Sequence, residues 1–189
     1  VKPIAVVLVA LVALCAGQAV AQPSADAKAR GTFNFYGRNA RSAMSGARES
    51  AGSFREYIRS TQPAPGQIVN GGGVVRETPR VVVVSPQIAQ AAVDEISDYI
   101  TKSEKHLAWM RRQAEAREDK GTLASLDSID RNLAAAKQNH AILCGCCMED
   151  NVDAKAAMAC CQTIDDALSK AISEHDALMK RLGEKQPSR

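Results

Sequence analysis

Aromatic residues are scarce in this 189-residue chain, with one Trp, three Tyr and three Phe making up 4% of the whole. A core with so few rings has to be assembled from Ala, Leu, Ile, Val and Met, which favours helices packed through small and aliphatic side chains. One-signed charge is also missing. Lys and Arg number 24 against 21 acids, and the two signs are interspersed, so the basic stripe of a nucleic-acid-binding surface is absent. No apolar run reaches the ~20 residues that a transmembrane helix needs. No Ser/His/Asp arrangement or paired carboxylates stand out, and no βαβ pattern surrounds any cysteine, so the chain reads as a non-enzyme. Apart from Cys15, cysteine is missing until residue 144.

The N-terminal stretch VKPIAVVLVALVALCAGQAVA, residues 1–21, has an early Lys, an apolar run from Ile4 to Leu14, and Ala19-Val20-Ala21 before Gln22. This is the layout of a secretory signal peptide cut after Ala21, which predicts export to a periplasmic or extracellular compartment with no membrane insertion after cleavage. Residues 22–37 read as a flexible leader. From 38 to 59, apolar residues at helical spacing (Ala40, Ala43, Ala47, Ala51, Phe54, Ile58) predict a first helix, interrupted by Gly46 and Gly52. Residues 60–85 carry prolines, glycines and the run VVVV, and read as a linker. Its valines either cover the domain or add to a sheet edge of a protein partner.

From Pro86 the periodicity is regular. Ser85 and Pro86 give a helix start, and Val93, Ile96, Ile100, Leu107 and Met110 form one apolar stripe. A second stripe runs Leu126, Ile129, Leu133, Ala136, His140, Leu143, Cys147, and a third Ala154, Ala157, Cys161, Ile164, Leu168, Ala171, His175, Leu178, Leu182. Alternating three- and four-residue steps joined by short breaks predict an all-α fold, an antiparallel bundle of three long helices over 86–183 with a fourth from the N-terminal side. Residues 184–189 read as a disordered tail.

The chemistry concentrates in HAILCGCCMEDNVDAKAAMACC, residues 140–161, which holds five cysteines, one histidine and two methionines. In an oxidising compartment such thiols are paired, metal-bound or used for exchange. Five cannot all pair within one chain, so one is free, shared with a second copy in a homodimer, or held by a metal. A hairpin turning near Asn151 sets His140, Cys144 and Cys147 opposite Met158 and Cys161, with Cys146 and Cys160 displaced to the side as further ligands or disulfide partners. Thiolate, imidazole and thioether are soft or borderline donors that suit copper as Cu(I), and, without the Met, zinc. If Gly145 ends its helix, the set becomes Cys144, Cys146 or Cys147, Cys160 and Cys161. A lone His on an apolar stripe, as His175 is, reads more readily as core.

A four-helix bundle with CGCC, MACC and His140 directed inward resembles the cysteine-rich copper-storage proteins over these twenty-two residues and the bundle outline. That resemblance implies Cu(I) held by thiolates. The other helices carry no cysteine, so one site or a small cluster is implied rather than a multi-ion store. The alternative is a disulfide clasp joining two helices of a structural or protein-interaction module, with no metal. Cys144 and Cys147 also form C-x-x-C, but they close a helix rather than open one, against a thiol-disulfide exchange enzyme.

Overall fold

The computed structural model describes residues 25–62, 84–147 and 152–184. Among them are four helices and no strand: α1 Ala25–Thr61, α2 Pro86–Glu115, α3 Lys120–Cys147 and α4 Ala154–Glu184. The all-α bundle is therefore the architecture. Phe33 onward forms one compact unit, and the residues up to Thr32 belong to another. In the latter, Ala25–Thr32 is helical, with the Thr32 hydroxyl donating to the Lys28 carbonyl at 2.9 Å.

Within the larger unit each helix runs antiparallel to the next, as the contact pairs show. Tyr36 meets Trp109 and Tyr57 meets Ser85 between α1 and α2. Arg111 bonds Asp127 and Asp130, and Glu104 bonds Lys137, between α2 and α3. Asn132 reaches Glu174 and Ser125 reaches Arg181 between α3 and α4. Arg41 with Asp176 and Arg55 with Gln162 close the ring between α1 and α4. These partners are largely exposed, and such pairs contribute about 0–1 kcal/mol each, so they set register more than they hold the fold.

The holding is apolar. Ala89, Val93, Ile96, Ile100, Leu107, Met110 and Ala114 of α2 are buried, as are Leu126, Ile129, Leu133, Ala136 and Leu143 of α3. Each large aliphatic side chain so buried stabilises by roughly 1.5–3 kcal/mol. Val84, last of the valine run, is buried in the same core; Val81 to Val83 lie outside the described residues. Ser85, the predicted start of α2, makes no side-chain capping bond, but the starts of α3 and α4 are capped by aspartates. Asp119 accepts from the Thr122 amide at 3.0 Å before α3, and Asp153 accepts from the Ala156 amide at 3.0 Å before α4. Between α2 and α3 the turn places Glu118 at φ 54°, the left-handed region.

The predicted leader needs correction. Residues 25–37 are helical, and α1 is one helix from Ala25 rather than a segment beginning at residue 38. Phe33, Ala40, Met44, Ala47, Ala51, Phe54 and Ile58 form a single buried stripe, which continues the helical period upstream. Glycines obscured it, and two of them are there for close approach. A methyl at Gly46 would lie 2.7 Å from the Tyr99 ring of α2, and one at Gly37 would lie 2.8 Å from Met179 Sδ of α4. The predicted signal peptide (1–21), most of the linker, and the tail after Glu184 lie outside the described residues.

His175 of α4 is 1% exposed, and neither ring nitrogen completes a hydrogen bond among the described residues. Nδ1 stands 3.6 Å from Asp176 Oδ1. Burial pushes the imidazole pKa below its ordinary value, and the nearby Asp176 carboxylate only partly offsets this.

Two outcomes follow for stability. Gly46→Ala lowers it by about 1–2 kcal/mol because ring overlap outweighs the helix-propensity gain, whereas Gly52→Ala, which meets nothing within 4 Å, raises it by about 0.5–1 kcal/mol; urea unfolding of the two variants reads opposite signs. His175 in the fold holds a proton less firmly than in the unfolded chain. Stability is therefore full above the ordinary histidine range and falls as pH drops through it towards the lowered folded value. In His175→Asn the loss between roughly pH 7 and 5 shrinks to what the likewise lowered His106 contributes, as urea unfolding across that range will register.

Candidate metal centre

α3 continues without a break through Gly145 to Cys147, so the helix does not end at the glycine and the last three cysteines of α3 stay on its surface lattice. α4 begins at Ala154, two residues after the described chain resumes at Val152, with Cys160 and Cys161 nearly two turns in. The two helix ends bring thiols from both sides of the hairpin together. Cys147, Cys160 and Cys161 are buried, at 4%, 7% and 0% exposure, while Cys144 and Cys146 are half-buried against the core. All five are free thiols.

The pairing differs from the one the sequence suggests. A turn near Asn151 pairs Ala141 with Cys161 and Cys144 with Met158. Instead the sulfurs that act on one another across the hairpin are Cys146 on Cys160, Cys160 on Cys147, and Cys147 on Cys161. The hairpin centre lies nearer Asp153, which caps α4, and that displacement slides the partners along both helices. Cys146, expected to point away, and Cys160, expected to be displaced, are therefore at the heart of the sulfur contacts.

His140 turns the other way, towards α2. Its Nε2 is 2.9 Å from the Val93 carbonyl, and its ring nitrogens are 3.7 and 3.8 Å from Cys144 Sγ. Bonding to a carbonyl places the ring proton on Nε2 and leaves the Nδ1 lone pair for a soft partner. Met158 is half-buried against the core from α4. Among the described residues no three His, Cys, Asp or Glu side chains are grouped so as to hold one ion. Of the predicted ligands, His140 and Cys144 therefore neighbour each other on the side facing α2, whereas Cys147 and Cys161 lie along the α3–α4 seam with Cys146 and Cys160 and do not converge with them on one point.

Burial governs the protonation of these thiols. It is the largest cause raising Cys144, Cys160, Cys147 (to about 11) and Cys161 (to about 12), and neighbouring sulfurs add to the rise at the last three. Arg55 of α1 opposes the rise at Cys161. Its Nε is buried without a hydrogen-bond partner, while Nη1 donates to Gln162 and stands 3.9 Å from Asp165 Oδ2, so the guanidinium charge is shared with that carboxylate. Asp94 of α2 raises Cys144 and, with Pro86, Gln87, Gln90 and Ala91, lines a groove of about 590 Å³ that Cys147 also lines. Sequence reasoning missed Arg55 and Asp94, since nothing local links them to the cysteines.

No family model matches the chain, and neither curated proteins nor solved structures give a match. The site therefore has to be interpreted from its own geometry.

That geometry ranks the thiols by reactivity. In reduced native protein at pH 8, iodoacetamide modifies the half-buried Cys144 and Cys146 first. Cys147 and Cys161 lag by on the order of 100-fold, from their small thiolate fraction and burial; peptide mass mapping against time gives the order.

Proposed function

We propose that this protein is a non-enzymatic helical bundle that binds a soft metal ion, Cu(I) ahead of Zn(II), through thiolates facing one another across the α3–α4 hairpin. The observation that carries the reading is the gathering of five free thiols at the α3–α4 hairpin, three of them buried, with Cys160 and Cys161 of α4 each influenced by a sulfur of α3. Zn(II) in a closed protein site takes four ligands in a tetrahedron, whereas Cu(I) is content with fewer, softer donors. Facing thiol pairs, with no larger convergent group among the described residues, favour the second ion. His140 with Cys144, and the thioether of Met158, lie close by in sequence as further soft donors.

The raised thiol pKa values bear on mechanism. An arriving ion has to displace protons from Cys147 and Cys161, so affinity rises with pH, and Arg55 assists the deprotonated form of Cys161. They also speak against a thiol-exchange enzyme, whose attacking cysteine is held below the usual thiol range. The reading includes export of the chain to a periplasmic or extracellular compartment, where metal capture or a protein partner would be met.

The same cross-helix pairs support a second reading, a clasp without metal. Oxidation of two facing thiols forms one S–S bond with loss of two protons and two electrons to an external oxidant. Closing a loop of about fifteen residues in this way stabilises by roughly 3 kcal/mol.

Anaerobic titration of the reduced chain with Cu(I), in competition with a chromogenic chelator, decides between them. Expected are thiolate-to-copper absorption in the ultraviolet, uptake of up to about two Cu(I) ions per chain, and binding of Zn(II) weaker by about 100-fold or more. Cys160→Ser and Cys161→Ser each remove part of the uptake. Absence of copper absorption, together with a single reactive thiol in denatured protein isolated without reductant, overturns the metal reading in favour of the clasp.

A further inference from the structure

Rings are scarce in this chain, yet three of them gather on the outer seam between α1 and α2. Tyr36 stacks on Trp109 with ring centroids 4.1 Å apart, Phe35 meets Tyr36 edge to face at 5.4 Å, and the His106 ring lies 5.7 Å from Tyr36. The group is not core. Phe35 is 53% exposed, and Tyr36, His106 and Trp109 are half-buried.

Around these rings the charge has one sign. Lys105 and Arg112 stand one helical turn on either side of Trp109, Lys102 one turn before His106, and Arg38 one turn after Phe35. All four are exposed, and among the described residues none of them is ion-paired, whereas Arg41, Arg48, Arg111 and Lys137 elsewhere on the bundle each face a carboxylate. No Asp or Glu occurs between Phe33 and Arg48. The one acid between Tyr99 and Ala114, Glu104, is held by Lys137 on the α3 side. Uncompensated cations beside exposed rings fit a partner that is both anionic and apolar.

Two details of geometry narrow that partner. The Tyr36 ring already lies against Trp109 and Phe35, so the rings do not stand apart as slots for nucleobases. Lys102, Lys105 and Arg112 are spread over about 15 Å of α2 rather than converging on one point, which suits a plane of phosphates better than a single anion.

We propose that the α1–α2 seam at Phe35, Tyr36 and Trp109 docks on the surface of an anionic phospholipid bilayer, its rings entering the headgroup layer while Arg38, Lys102, Lys105 and Arg112 meet phosphates. Trp and Tyr settle at that depth because each has an apolar body and a polar edge. The bundle lies on the membrane and not across it, since no described helix is long and apolar enough to span one. α3 and α4 form the other side of the ring of helices, so the cysteine hairpin is left clear of lipid. The proposal uses no thiol and stands apart from the metal reading.

The test mixes full-length reduced protein with vesicles of phosphatidylcholine, alone or with about 30% phosphatidylglycerol, in which some acyl chains are brominated. Bromine quenches only a ring in contact with it, so Trp109 emission reads whether this seam, rather than another part of the chain, reaches lipid. Expected is quenching on the anionic vesicles, with affinity at least about tenfold weaker for phosphatidylcholine alone and falling as salt rises. Lys105→Gln combined with Arg112→Gln weakens binding by about 25-fold, and Phe35→Ala by roughly fivefold. Thermal unfolding verifies that these variants, altered at exposed positions, are folded. Absence of vesicle binding, or binding without quenching of Trp109, overturns the proposal. So does equal quenching on phosphatidylcholine alone, or a tighter complex with oligothymidylate than with the anionic vesicles.

Discussion

The antiparallel register of α3 against α4 is the constraint on which the rest depends. Once Asp153 caps α4 and the helices pack through Leu143, Cys147, Ala157, Cys161 and Ile164, the heights of every sulfur are settled by a constant rise per residue. A slide of two residues exchanges one set of neighbours for another. That is the difference between a pocket of His140, Cys144, Cys147, Met158 and Cys161 and the facing thiol pairs that the fold contains. The site is thus a by-product of helix docking, and its donor set is only as well defined as the hairpin.

Sulfur is also part of the core that defines that hairpin. Cys147, Cys160 and Cys161 occupy stripe positions where Leu or Ala would otherwise sit, and they bury as small apolar groups. Burial keeps them protonated, so the free protein has little repulsion to overcome at its sulfur end. Arg55, reaching over from α1, ties this chemistry to a helix more than eighty residues away in sequence.

The bundle was legible because three- and four-residue steps of Ala, Leu, Ile and Val persist through α2, α3 and α4, with Ser85 and Pro86 marking the start of the first. α1 was read only in part. Residues 22–37 read as a leader and Gly46 and Gly52 as interruptions of a helix, and a one-dimensional pattern cannot show that Gly37 makes room for Met179 or Gly46 for Tyr99. At the sulfur end, which residues are involved could be seen from their clustering, but their pairing could not. Pairing depends on where the hairpin pivots and on whether Gly145 stays helical, and Cys146 and Cys160 were assigned lesser places on that account. Arg55 and Asp94 carried no signal, because their role exists only after four helices assemble.

The stacking of Trp109 on Tyr36, with ring centroids 4.1 Å apart and planes 19° from parallel, lies between α1 and α2. It is the sole tryptophan of the chain. Its emission therefore senses one seam of the bundle and is blind by position to the hairpin where the sulfurs meet. The molecule carries its own optical gauge of whether the first helix is seated, separable from anything that happens among the thiols.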